Sequence, residues 1–119
     1  MSDAIKAWWG TRPLYEFDIP AALQEVAGGK AVGLVQLQVE DEVRITDLAE
    51  GNRSKLLMLQ LRYTVATLDG RVLGKDSPEV EALIRSDQKV RNLLIAAYGT
   101  IAMPSDTEVN GFLASMRVR

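Results

Sequence analysis

The stretch from Arg53 to Asp69, RSKLLMLQLRYTVATLD, holds neither proline nor glycine and carries apolar residues at helical spacing on two sides. Leu, Met, Gln, Arg and Lys dominate it, and these side chains lose little rotamer freedom in a helix. Asn52 or Ser54 can cap its start. Gly70 follows its end, where a left-handed residue is commonly needed. The spacing predicts a central helix over 53–69. One stripe is Leu57, Leu61, Val65 and Leu68, with Met58 beside it. A second stripe, Leu56, Leu59, Tyr63 and Ala66, runs along nearly the opposite side. A helix apolar on two sides must be covered on two sides. Either the helix is sandwiched within its own domain, or the second stripe is a face for a partner or for self-association.

The segments before it alternate. Tyr15, Phe17 and Ile19 share one side of Leu14–Ile19, and Val35, Leu37 and Val39 share one side of Ala31–Val39. Two such strands predict a small antiparallel sheet, wet on one face. Pro20–Ala27 reads as a helical turn or loop closed by Gly28-Gly29. Gly28-Gly29-Lys30 lacks the spaced first glycine and the Ser/Thr after Lys of a phosphate loop, so it reads as a turn. Glu40-Asp41-Glu42 suits the positive end of a helix over 40–50. As a metal site the trio fails, because consecutive residues on a helix project in different directions.

After Leu68–Leu73, a turn and a short extended piece, the helices follow. Ser77-Pro78-Glu79 opens one, with Val80, Leu83 and Ile84 as its apolar side. Ser86-Asp87 caps the next, about 88–102, whose stripe is Val90, Leu93, Leu94, Ala97, Tyr98 and Ile101. Pro104 stops it, and Ser105–Glu108 has capping-box spacing. The last helix places Val109, Phe112, Leu113 and Met116 on one face. Strands then helices give an α+β fold: a small sheet from the N-terminal third, then about four to five helices around the central one. Residues 1–13 read as a flexible lead to a single domain over 14–119. In that lead Trp8 and Trp9 stand side by side. One docks while the other stays partly exposed, or the pair forms an interaction arm, since Trp is enriched at hot spots.

Chemistry is hard to place on this chain. It has no histidine and no cysteine, which removes the commonest general base, the commonest zinc ligand and every thiolate site. No paired acid and base emerges, so no catalytic, cofactor or metal residue is assigned. The net charge is −2 and no basic run occurs, which argues against a nucleic-acid binder. No stretch approaches the ~20 apolar residues of a membrane span. The start, MSDAIKAWWGTRP, has no apolar signal core, so export is not expected.

The second half carries a resemblance. Val39-Glu40-Asp41-Glu42 leads into Ile45–Gly51, and a long aliphatic helix runs into Leu68-Asp69-Gly70. The run Lys-Val-Arg-Asn-Leu-Leu-Ile-Ala-Ala-Tyr occupies 89–98. Pro104-Ser105 precedes Glu108-Val109 and Phe112–Ser115. This progression, over roughly 31–116, resembles the small tail assembly chaperones and related tail or baseplate assembly proteins of long-tailed bacteriophages. The resemblance implies a non-enzymatic protein of the host bacterial cytoplasm. It would coat the tape measure protein, help the tail tube protein assemble around it, and self-associate. No binding motif carries over residue by residue, and Trp8-Trp9 has no counterpart.

The candidate partner-binding residues are Leu56, Leu59 and Tyr63, with Trp8 and Trp9. Two other readings compete: a structural tail, baseplate or connector subunit, and a small phage-encoded inhibitor of a host protein.

Overall fold

The computed structural model describes residues 7–85 and 87–118. The first alternating segment becomes strand β1, Tyr15–Asp18. A 3-10 turn at Ala21–Leu23 and a single helical turn, α1 at Gln24–Ala27, follow it. Gly28 ends α1 in the left-handed region at φ 81°. Gly29 passes so close to the next hairpin that a Cβ there would stand 2.6 Å from the Leu68 side chain. Strand β2, Ala31–Leu34, leads through an extended stretch into α2, Val39–Ala49. The second alternating segment therefore stops pairing before Val39. The three carboxylates at 40–42 fall in the first turn of α2, where the helix dipole favours them.

The central helix ends earlier than its stripes predict. It forms α3, Arg53–Thr64, capped by Asn52, whose side chain accepts from the Lys55 N–H. Val65–Leu68 is strand β3, joined to β4, Arg71–Val72, by Asp69-Gly70. Both turn residues have positive φ, 52° and 80°, as a two-residue hairpin loop with the strands' own twist requires. The switch has local causes. Thr64, Val65 and Thr67 are β-branched and fit a pleated surface better than a helix. The Thr64 hydroxyl donates back to Gln60 O, and its carbonyl accepts from the Val35 N–H at 3.0 Å. Half the sheet thus comes from 65–72 rather than from the N-terminal third.

The sheet order is β1-β2-β3-β4, antiparallel throughout. Leu34 pairs with Val65 and Gly33 with Thr67, so Ala66 is an inserted bulge residue. One face, through Val32, Leu34, Val65 and Leu68, packs in the core with Leu61 of α3. Helices α4, Pro78–Arg85, and α5, Gln88–Ala102, complete it with Val80, Leu83, Ile84, Val90, Leu94 and Ile101. Gln36 donates to Ile101 O at 2.7 Å and ties the end of β2 to the end of α5. Glu81 of α4 pairs with Arg62 of α3 and with Arg85.

The other face of the central strands is not wet. Gly33, Ala66 and Thr67 are all buried. The residues read as a flexible lead, and Leu14 that follows them, make specific contacts from residue 8 on. Trp8 Nε1 donates to Leu73 O at 2.7 Å, Arg12 donates to Gln36 O at 2.6 Å, and Leu14 lies against Gly33. Residues 1–6 of that lead lie outside the described residues.

Asp87 caps α5 by accepting from the Lys89 and Val90 N–H groups. After Pro104 comes α6, Asp106–Ala114, with both halves of its capping box formed. No residue of α6 is buried.

Candidate partner-binding surface

Leu56, Leu59 and Tyr63 lie together on α3, and all three are half-buried. Lys75 Nζ sits over the Tyr63 ring at 4.3 Å, which covers part of it. Trp8 and Trp9 are half-buried too and meet edge to face, with ring centroids 5.5 Å apart. Arg12 lies 5.8 Å over the Trp8 ring and donates through Nε to Trp9 O. The Trp8 indole therefore ties the lead to Leu73, and the Trp9 ring packs edge-on against that indole. Tyr63 is covered by Lys75, two residues further on than Leu73.

An open apolar hollow lies elsewhere. Between β1 and α5 runs a cleft of about 280 Å³, walled by Phe17, Ile19, Val32, Leu93, Leu94 and Ala97. Val32 and Leu94 are buried at its floor, while Leu93 is 42 % exposed. The sequence reading places Leu93 in the core stripe of α5. Its signal was the width of that stripe: a helix resting on one sheet face cannot bury six positions spread over so broad an arc. Beside β1 the outer strand edge is also open, and exposed Glu16 and Asp18 are its charged residues.

The second feature is α6. Phe112, Leu113 and Met116 are 75 %, 62 % and 78 % exposed. The sequence locates this apolar face, and among the described residues Phe112, Leu113 and Met116 stay mostly uncovered while Val109 is only 37 % exposed. Met103, ahead of Pro104, is extended at φ −99° and ψ 136°, and Ser105 is extended at φ −69° and ψ 162°. A residue before proline is pushed out of the helical region, so the linker turns α6 off the line of α5.

The carboxylates that depart from ordinary titration are engaged in structural bonds. Asp69 is held low by the N–H groups of Lys30 and Ala31, Glu81 by Arg62, and Glu108 by Ser105. The Tyr98 phenol is pushed up, first by burial and then by the charge of Glu42. Among the described residues, no group of three or more His, Cys, Asp or Glu is placed to hold a metal. None of the described helices is long and apolar enough to cross a membrane. Comparison with family models, curated proteins and solved structures yields no match.

Proposed function

We propose that this chain is a non-enzymatic tail assembly chaperone that receives an apolar helix face of the phage tape measure protein and aids assembly of the tail tube around it. The observation that carries this reading is the open apolar cleft between β1 and α5, with Leu93 exposed at its rim. A groove walled by a strand and a helix suits helix-in-groove recognition, in which side chains at one-turn spacing enter the hollow. Burying their apolar area contributes about 25 cal/mol per Å² and needs no sequence-specific polar contact. That fits a client with many similar helical segments. The setting of such a role is the host bacterial cytoplasm, where tails are built.

Co-expression with the tape measure protein of the same phage tests the proposal. The chain should keep that client soluble and co-elute with it, and Leu93→Asp should abolish both effects while leaving the chain folded. A client that stays insoluble, or a complex indifferent to Leu93→Asp, would contradict it.

A further inference from the structure

We propose that the hollow where the start of α3 faces α5 binds a small phosphate monoester of mononucleotide size, with Lys55, Arg85 and Arg91 meeting its phosphate. The inference does not depend on the tape measure client, whose proposed seat lies between β1 and α5.

Three cations and no carboxylate line this hollow of about 560 Å³. A volume of that order is ordinary for a small-molecule site. Arg91 is half-buried, and its Nε is covered without a hydrogen-bond partner. Its guanidinium makes no ion pair among the described residues. Asp87, one turn earlier and bordering the adjoining hollow, directs Oδ1 to the Lys89 and Val90 N–H groups instead. A cation drawn out of water with no counter-charge is destabilising, and an anion in the hollow relieves it. The other two cations are only partly compensated. Glu81 pairs with Arg85 but is shared with Arg62, and Glu50 approaches Lys55 only to 3.9 Å.

The first turn of α3 adds to this positive field. It carries Arg53 and Lys55 and no acidic residue. A helix start favours carboxylates, and α2 and α6 both have them there. Cations gathered on a positive helix end repel one another until an anion joins them. A carboxylate would neutralise one of the three, whereas a phosphate monoester carries about −1.5 to −2 and offers three acceptor oxygens to the guanidiniums. Leu57, Met58 and Ile95 give the hollow an apolar side for the rest of the ligand, and the Asn92 amide beside them both donates and accepts. The cations are confined to this one place and no basic run extends them, which suits a single phosphate group rather than a nucleic-acid backbone.

Isothermal titration calorimetry of the purified full chain with adenosine monophosphate, inorganic phosphate and adenosine tests the proposal. The nucleotide should bind saturably, at least about tenfold more tightly than inorganic phosphate or adenosine. Arg91→Met and Lys55→Met should each weaken it by about tenfold or more. Lys89→Met, which alters an exposed cation of α5 outside the hollow, should leave the affinity unchanged. Arg91→Met removes a charge that has no counter-charge, so circular dichroism should show a fold that melts no earlier. Lys55 is exposed, so its variant reports on binding even if Arg91→Met disturbs packing. No saturable binding of the nucleotide up to about 10 mM would overturn the proposal. Binding that Arg91→Met and Lys55→Met leave intact would overturn it too. So would an oligonucleotide that binds at least about tenfold more tightly than the mononucleotide, because the patch would then track a polymer.

Discussion

Asp69 and Ala31 hold each other twice: the Asp69 N–H donates to Ala31 O at 2.8 Å, and Asp69 Oδ1 accepts from the Ala31 N–H at 3.0 Å. The same oxygen accepts from the Lys30 N–H at 2.8 Å. One side chain thereby locks the β3–β4 turn to the start of β2. These bonds lower the Asp69 pKa, so its carboxylate is favoured in the folded state. The contribution is complete above the unfolded-state value, about 4, and is lost as pH falls through the lowered folded value. Asp69→Asn should keep the left-handed turn and flatten the loss of stability in acid. Asp69→Ala should lower stability further at pH 7, because alanine is strained at φ 52°. Urea unfolding at pH 7 and pH 3 checks both.

Gly33 and Thr67 face each other across β2 and β3 with no room to spare. A Cβ at Gly33 would stand 2.2 Å from Thr67 Oγ1 and 2.9 Å from Leu14 Cδ1. Gly33→Ala should cost about 1–3 kcal/mol by overpacking. Part of this should return in a Thr67→Ala background, since the two positions share one space. Thr67 Oγ1 is itself buried without a hydrogen-bond partner. Thr67→Val, which removes that hydroxyl, should raise stability by about 1 kcal/mol. Denaturant midpoints of the four variants measure the coupling.

Leu61 and Leu57 lie one turn apart on α3, yet only Leu61 is buried. Leu61→Ala should cost about 2–5 kcal/mol, because the cavity opens between α3 and the sheet. Leu57→Ala should cost about 1 kcal/mol or less. Equal losses in thermal unfolding would mean that α3 is rotated from the orientation described.

Ser105 and Glu108 cap α6 reciprocally, at 2.8 Å and 3.1 Å. Ser105→Ala should weaken this helix by about 1 kcal/mol. Amide exchange should quicken over 106–114 while global unfolding stays unchanged. A matching drop in global stability would mean that α6 packs on its own chain.

Much of the fold was legible because its signals are local. Asp87, Ser105 and the carboxylates at 40–42 announce helix starts within one turn, and α2, α5 and α6 lie close to where those residues place them. The end of α3 was harder to read. Leu61, Val65 and Leu68 satisfy helical spacing and, with one bulge, also place Val65 and Leu68 on one face of a strand. The deciding signal was Thr64–Thr67 ahead of Asp69-Gly70, β-branched residues leading into a two-residue hairpin turn. The cleft was not legible. It depends on how far β1 stands from α5, a distance that no run of residues encodes. The apolar face of α6 could be read from its spacing, but whether the chain covers it could not.

The most direct test of the chaperone account is to tag the chain in cells producing its phage and identify the co-purifying proteins by mass spectrometry. The account predicts a long, helix-rich tape measure protein in the complex and little of the chain in finished particles. A stoichiometric place for the chain in those particles, or a host enzyme as its bound partner, would contradict it.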